Sequence, residues 1–347
     1  MQNPSRTSRA RRRLIGALVV IAMSVAGYIY LTRDPMPRFT ERRSSLASVV
    51  VGDSIVDPEY ILTPVRVTAT SGLAVDLMFR RPRADSDKRL PLAVILGGHY
   101  TGRKAVDLLG PTPGVAIAAL SYPFTGDPRP DALTFLREIP KIRGAFLDTP
   151  PAVMLALDYL WQLPAVDTAQ VEAIGVSLGA PFMTIAGALD PRLSRVWVLH
   201  GSGGSYVPLE ANMKRNIPIP GVRHLAAGLA NVIINGPRLD PVHWVDDIAP
   251  RPFMMVNASD DERLPRRAVD ALYESAQQPK EIVWMPGRHI HSDRETIQKL
   301  VTIVMDRMRQ SPAGSGRVAH LPSSERAARL MGWDPPHTVS SALRSTR

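Results

Sequence analysis

The sequence contains no cysteine among its 347 residues. This absence excludes disulfide bonds, thiolate metal sites and a cysteine nucleophile, and it leaves the redox compartment open. An H-E-x-x-H metal motif, a G-x-x-x-x-G-K-[ST] loop and a G-x-G-x-x-G fingerprint are also missing from the sequence. Because these motifs hold metal ions and nucleotides, we expect a protein that needs no cofactor and no metal.

Surplus positive charge is missing from the middle of the chain. The formal net charge is +10, but residues 1–43 carry a surplus of seven and residues 311–347 a surplus of three, so residues 44–310 are neutral. A nucleic-acid-binding domain carries a basic stripe on its folded part. We therefore expect no nucleic-acid partner. Residues 311–347 are rich in Ser, Pro and Arg, which predicts a flexible tail outside the folded domain.

The N-terminal segment holds a long run without charge. Leu14–Thr32 contains no charged residue and follows Arg11–Arg13, and its length is just sufficient to cross a bilayer as a helix. The arginines favour a cytoplasmic stub, so residues 1–33 are predicted to form a signal anchor with the rest of the chain on the extracytoplasmic side. In the alternative, cleavage after Ser24–Ala26 removes a signal peptide and exports a soluble protein.

After a polar connector at residues 34–63, the pattern predicts one domain over residues 64–310. Val65–Thr70 and Ala74–Arg81 have the alternation of a β-hairpin. Short apolar runs then alternate with amphipathic ones, which predicts strands at Leu92–Leu96, Val115–Leu120, Val171–Val176, Arg195–Leu199, Phe253–Ala258 and Glu281–Met285, and helices at Asp148–Leu163, Leu178–Leu189, Pro265–Ala276 and Asp293–Arg309. This order predicts an α/β fold: a mostly parallel sheet with an antiparallel N-terminal hairpin and helices on both faces.

Residues 202–250 are longer than a simple crossover between two strands requires. They contain many Gly and Pro residues and one apolar helical stretch, His224–Ile234. One interpretation is a cap inserted over a substrate site. The other is an ordinary crossover helix with long surface loops, and the sequence does not choose between them.

A G-x-S-x-G motif joins a predicted strand to a predicted helix. It reads Gly175-Val176-Ser177-Leu178-Gly179. At such a junction the serine sits on a sharp turn that only small flanking residues permit, and its hydroxyl is presented above the sheet. A serine hydroxyl is a weak nucleophile, so it needs a histidine to take its proton and a carboxylate to orient that histidine.

Two later loops offer the acid and the base in that chain order. Asp260 and Asp261 follow the strand Phe253–Ala258, whereas His289 and His291 follow the strand Glu281–Met285. Parallel strands bring both loops to the sheet edge where the serine emerges. Consecutive residues in extended chain point in opposite directions, so one aspartate of the pair is expected to face the histidine.

With this motif and this order of serine, acid and histidine, the segment Pro64–Arg309 resembles the α/β-hydrolase fold superfamily. Asn257–Pro265 is similar to that family's H-G-x-x-D-x-x-V-P segment, although its first two residues depart from His-Gly, and the resemblance aligns Asp261 with the acid. Pro286–His289 is similar to the family's approach to its catalytic histidine, which favours His289.

An oxyanion hole would complete such a site. The first expected donor is the backbone N–H of Leu178, directly after the nucleophile. The resemblance places the second in the glycine-rich loop Gly97–Gly102, where the His99 N–H is the expected donor and Tyr100 the alternative.

The sequence therefore predicts a serine hydrolase that cleaves an ester or related acyl bond of a small molecule. Ser177 is the expected nucleophile, His289 the base and Asp261 the orienting acid, with an acyl-enzyme intermediate. Two alternatives are a serine peptidase of the same fold and a membrane-tethered binding protein that keeps the fold without turnover.

Overall fold

A computed structural model describes residues 6–98, 101–126, 131–290 and 294–310, together with Arg326 and Leu330. The strands are β1 Leu46–Val51, β2 Ile55–Val56, β3 Tyr60–Ala69, β4 Ala74–Pro82, β5 Leu90–Leu96, β6 Ala116–Leu120, β7 Val166–Val176, β8 Arg195–Leu199, β9 Phe253–Ala258 and β10 Lys280–Met285. The α-helices are α1 Arg6–Thr32, α2 Met36–Arg43, α3 Ala132–Leu160, α4 Gly179–Leu189, α5 Tyr206–Met213, α6 Pro220–Ile233, α7 Gly236–Leu239, α8 Arg266–Ser275 and α9 Arg294–Gln310. Short 3-10 turns lie at Arg83–Asp85, Gly102–Leu108, Pro241–His243 and Val245–Ile248.

The described strands form one sheet in the order β1-β3-β4-β6-β5-β7-β8-β9-β10, with β2 paired to β3. The pairs from β1 to β4, and the pair between β4 and β6, are antiparallel. All pairs from β6 to β10 are parallel. The predicted α/β class, with a mostly parallel sheet and an antiparallel N-terminal hairpin, is confirmed.

Helices cover both faces of this sheet. The parallel strands β5, β6, β8 and β9 are apolar and largely buried, and β7 is buried over its second half, Val171–Gly175, as expected for strands covered on both sides. One face packs against α2, α3 and α4, and the other packs against α9. In this arrangement the carboxyl ends of β5, β7, β8, β9 and β10 share one edge, and the loops that leave them meet there.

Helix α3 begins earlier than predicted. The prediction placed a helix start at Asp148, but the helix begins at Ala132, where the side chain of Asp131 accepts a hydrogen bond from the Thr134 N–H at 2.7 Å. Asp148 lies inside the helix, and its carboxylate instead accepts hydrogen bonds from Arg38 and Arg42 of α2, both at 3.0 Å. The aspartate that resembled a helix cap is therefore a long-range anchor for α2.

The segment predicted as a connector, residues 34–63, carries α2, β1, β2 and the start of β3. Phe39 of α2 is fully buried against the core, and burying a phenylalanine side chain contributes about 2–3 kcal/mol. Arg43 adds an ion pair to Asp158 at 3.0 Å. The folded domain thus begins at α2 rather than at residue 64.

Both ends of the described chain also bear on the predicted organisation. Within the C-terminal segment, Leu330 is buried in the main core, and Arg326 donates a hydrogen bond to the His243 carbonyl at 3.0 Å. These two residues therefore contact the domain, in contrast to the predicted free tail.

At the other end, the window Arg11–Ile29 of α1 has 19 residues, a mean hydropathy of 1.6 and no buried residue. By length and composition it is a helix that could cross a membrane.

Candidate active site

Ser177 occupies a sharp turn between β7 and α4. Its φ angle is +52°, a left-handed conformation that is uncommon for a residue with a side chain and costs about 1–3 kcal/mol. The Ser177 N–H donates to the Leu199 carbonyl at 2.9 Å, and the Ala180 N–H donates to the Ser177 carbonyl at 3.1 Å. The turn is therefore held by hydrogen bonds on both sides of the serine.

The two glycines of the motif are required by close packing. A Cβ added to Gly179 would lie 2.0 Å from the Leu96 carbonyl oxygen, and one added to Gly175 would lie 2.7 Å from the Ala180 Cα. Because both neighbours are backbone atoms, neither contact could be relieved by a side-chain rotation. Glycine at these positions lets the first turn of α4 lie directly against the end of β5.

The hydroxyl of Ser177 ends a chain of hydrogen bonds. Its Oγ lies 2.9 Å from His289 Nε2, and His289 Nδ1 lies 2.7 Å from Asp261 Oδ2. The side chains of His289 and Asp261 are each only 3% exposed. With Nδ1–H donating to the carboxylate, Nε2 is the acceptor that faces the hydroxyl. This arrangement allows the imidazole to take the proton of the serine.

Asp261 is held as a carboxylate. Its other oxygen, Oδ1, accepts the backbone N–H groups of Arg263 and Leu264, both at 2.9 Å. Burial by itself would raise the pKa of Asp261, but the hydrogen bonds from His289 and from the Arg263 N–H outweigh it and hold that pKa well below its usual range. The negative charge is thus present at neutral pH, where it accepts the Nδ1–H of His289 and orients the ring.

The structure separates the two candidate aspartates. The Asp260 carboxylate accepts the Ser259 hydroxyl at 2.8 Å on an exposed part of the loop, and its backbone N–H donates to the Gly287 carbonyl at 3.0 Å. Among the described residues, Asp261 is the one of the pair that contacts His289. The alternative histidine, His291, lies outside the described residues.

The loop after β5 adjoins this turn. The Gly97 carbonyl accepts the Tyr122 hydroxyl at 2.7 Å, and burial raises the pKa of Tyr122, so it stays protonated as the donor. Leu178 directly precedes α4, and the first N–H groups of a helix have no partner within the helix. The two other oxyanion-hole candidates, His99 and Tyr100, lie outside the described residues.

A second buried histidine, which the sequence reasoning missed, lies beside the site. His200 follows β8 at the same sheet edge, is 1% exposed and has a φ angle of +49°. Its Nδ1 accepts the Ile290 N–H at 3.1 Å and lies 3.6 Å from Asp261 Oδ2, and its ring meets the His289 ring edge to face at 5.5 Å. The rule that pointed to the other loops, a polar residue after a buried parallel strand, also points to His200.

Asn257 occupies the position where the resemblance expects histidine. Its side-chain N–H donates to the Gly201 carbonyl at 2.9 Å, and the residue is fully buried. This bond ties the end of β9 to the residue that follows His200. The departure from His-Gly is therefore filled by a structural hydrogen bond next to the site.

Glu262 fixes the backbone of the histidine loop. Its Oε2 accepts the His289 N–H at 3.0 Å and lies 3.4 Å from Arg288 Nε. Burial would raise the pKa of Glu262, but the His289 N–H and Arg288 lower it to about 2. Adjacent acidic residues thus hold the same histidine in two ways, Asp261 through the ring and Glu262 through the backbone.

Three donor groups at this site are close enough to be considered as metal ligands. Ligand atoms of His200, Asp261 and His289 lie within 4.8 Å of one another. However, Asp261 and His289 are joined by a 2.7 Å hydrogen bond, and atoms that share a zinc ion at about 2.0–2.2 Å each lie farther apart in a tetrahedral site. The donor set therefore fits a proton-transfer chain better than a metal ion.

Comparison with known proteins gives structural neighbours only. No family model and no curated protein sequence matches the chain. Acetyl xylan esterase 1 from Thermoanaerobacterium sp. is 16% identical with a TM-score of 0.56, covering 79% of this chain and 92% of its own. An acetyl xylan esterase from Paenibacillus sp. R4 is 16% identical with a TM-score of 0.55, covering 77% and 91%. An α/β hydrolase from Penicillium sp. sh18 is 18% identical with a TM-score of 0.50, covering 71% and 98%. At this identity the likeness concerns the fold alone.

Proposed function

We propose that this chain, which has the α/β-hydrolase fold, is a serine hydrolase that cleaves an ester or related acyl bond of a small molecule. The observation that carries the proposal is the buried chain of hydrogen bonds from Ser177 through His289 to Asp261. It starts at a left-handed serine on a strand-to-helix turn, which is where this fold presents a nucleophile.

The reaction runs through a covalent intermediate. Ser177 Oγ attacks the carbonyl carbon while His289 Nε2 takes the hydroxyl proton, and Asp261 stabilises the imidazolium. The tetrahedral intermediate then collapses, His289 gives the proton to the departing alcohol, and the acyl group stays on Ser177. Water attacks this acyl-enzyme, losing a proton to His289, and Ser177 regains that proton as the carboxylic acid leaves.

The negative charge on the substrate oxygen requires backbone donors. We assign one to the N–H of Leu178 at the start of α4, and the other to the loop after β5, with the His99 N–H as the expected donor. The close contact of Gly179 with the Leu96 carbonyl supports this assignment, because it brings the two donor segments together.

Within acyl chemistry, an ester is the favoured substrate. Two of the structural neighbours are named acetyl xylan esterases, and they span most of this chain. A serine peptidase would use the same three residues, and it stays the second candidate. A binding protein without turnover is the third, but it gives no reason for a buried carboxylate to orient His289 toward a strained serine.

The test is covalent labelling by a fluorophosphonate, which reacts with an activated serine. We expect one equivalent of label per chain, and proteolysis should place it on the peptide that contains Ser177. A Ser259→Ala variant is the matched control, because it removes an exposed hydroxyl from the loop that carries Asp261. Absence of labelling in a chain of native fold would contradict the hydrolase and favour the binding protein.

We further propose that α1 anchors the protein in a membrane with the folded domain outside the cytoplasm. The supporting observations are the exposed apolar window Arg11–Ile29 and the arginines that begin it, which resist translocation. Deletion should end at residue 33, because Asp34 Oδ1 accepts the Met36 N–H at the start of α2. The organisation is then an anchor followed by a folded domain that starts at α2.

Fractionation in a bacterial host tests this anchor. Full-length protein should stay in the membrane pellet after alkaline carbonate treatment, whereas a chain lacking residues 1–33 should be soluble and folded. External protease should digest the domain in spheroplasts. A soluble product with a new N-terminus at Gly27 would contradict the anchor in favour of a cleaved signal peptide. Protection of the domain until lysis would contradict the orientation.

A further inference from the structure

Helix α6 turns an apolar stripe outward. Val222, Leu225 and Leu229 recur at helical spacing on one side of the helix, and Ile219, the residue directly before the helix, is a further exposed apolar side chain. These side chains are all more than half exposed, and Leu225 reaches 75%. Contiguous exposed apolar side chains mark a surface that contacts something other than water.

The inward side of α6 is small and polar. Arg223 pairs with Glu210 of α5, Asn231 accepts the Ser205 hydroxyl at 2.8 Å, and Ala227 is fully buried. A surface helix of a soluble domain shows the opposite pattern, with its apolar stripe toward the core. The polarity of α6 is therefore inverted.

The direction of α6 is fixed by the domain. Arg143 of α3 donates to the Val232 and Ile233 carbonyls at 2.6 and 2.9 Å, so it satisfies the last turn of the helix. Asn212 of α5 donates to the Arg263 carbonyl at 2.8 Å, in the loop that carries Asp261. Arg143 thus fixes the end of α6, and α5, which packs against α6, is tied to the loop that carries Asp261.

The chain that follows α6 returns to the point where α1 leaves the domain. Helix α7 follows α6 directly and contacts α1. Arg238 of α7 also lines an open cleft together with Arg33, Asp34 and Pro35, the residues that join α1 to α2. The apolar surface of α6 is thus continuous in the chain with an element beside the proposed membrane anchor.

From this placement we propose that the outward face of α6 docks on the lipid bilayer in which α1 is anchored. The helix lies in the plane of the interface, with Val222, Leu225 and Leu229 among the acyl chains. Lys214 and Arg215, exposed in the turn before α6, are placed to meet anionic headgroups. The proposal rests on the proposed anchor and does not depend on catalysis.

The test uses the full chain, which has no cysteine of its own. Leu225→Cys gives a single position for a nitroxide spin label. Lys299→Cys is the matched control, because that side chain is 61% exposed on α9, which packs on the opposite sheet face from α3. Both are reconstituted in vesicles of phosphatidylcholine and phosphatidylglycerol, and power saturation compares collisions with oxygen and with a water-soluble nickel chelate.

We expect the label at residue 225 to favour oxygen, with a depth of about 5–10 Å below the headgroups, and the label at residue 299 to favour the nickel chelate. Equal nickel accessibility at both positions would overturn the proposal. The proposal would also be overturned if the label at residue 225 were shielded from both oxygen and the nickel chelate and its spectrum showed dipolar broadening. That result would mean that the stripe contacts a second copy of the chain.

Two further variants separate a failure of membrane docking from misfolding of the labelled protein and from a failure of the proposed hydrolase. Leu229→Cys repeats the measurement on the same stripe if the first labelled protein does not fold. A Ser177→Ala chain with the label at residue 225 should give the same depth. Failure of the proposed hydrolase would then leave the docking result unchanged.

Discussion

Replacing Ser177 with alanine is expected to lower kcat for short p-nitrophenyl esters by about 10,000-fold or more, because removal of one member of such a triad removes the nucleophilic pathway. The hydrogen bond shown for the hydroxyl is the one to His289, so the melting temperature should change little. The measurement is steady-state hydrolysis with purified enzyme, accompanied by thermal unfolding of the same samples.

A Ser259→Ala variant is the control for this experiment and should stay within a few-fold of the wild type. Full hydrolysis by the Ser177→Ala variant would contradict the serine mechanism. Equal losses of activity in both variants would point to structural damage of the whole site rather than to the loss of a nucleophile.

Replacing Asp261 with asparagine should have an effect of similar size, about 10,000-fold in kcat. An asparagine amide no longer accepts the Nδ1–H of His289 as a carboxylate does, so the imidazole loses the tautomer that leaves Nε2 free to take the serine proton. His289→Ala should be as damaging, because the three residues act as a unit. Kinetics on the same short esters would measure each loss.

Asp260→Asn is the matched control, since Asp260 is the preceding residue and its carboxylate binds the Ser259 hydroxyl instead of His289. We expect a loss of a few-fold for this variant, and the same for His291→Ala. A larger loss in Asp260→Asn than in Asp261→Asn would mean that the acid is the other aspartate of the pair.

Local patterns predicted the parts of the fold that depend on local physics. The hairpin of β3 and β4, the short buried strands and the turn at Ser177 follow from periodicity and from glycine spacing. The structure has each of them, although β3 begins at Tyr60 rather than Val65 and β7 at Val166 rather than Val171. The juxtaposition of Ser177, Asp261 and His289 followed from one topological rule, that parallel strands end on one edge.

Long-range contacts caused the failures. Asp148, two residues before Pro150, resembled a helix start. However, its carboxylate accepts hydrogen bonds from Arg38 and Arg42, more than a hundred residues earlier, and α3 continues through the prolines. Helix α2 was missed because its arginines gave it the composition of a connector, while its contact with the core depends on Phe39.

The short connection between α1 and α2 limits how far the folded domain could lie from the membrane. Three residues, Arg33, Asp34 and Pro35, separate the two helices. Fully extended, they span about 10 Å, whereas an extended connector of some thirty residues would span about ten times as much. With α1 in a bilayer, the loops around Ser177 would stay at a nearly constant distance from the lipid surface. Molecules held near the membrane would then reach the site by lateral diffusion in two dimensions, in addition to the molecules that reach it from the bulk solvent.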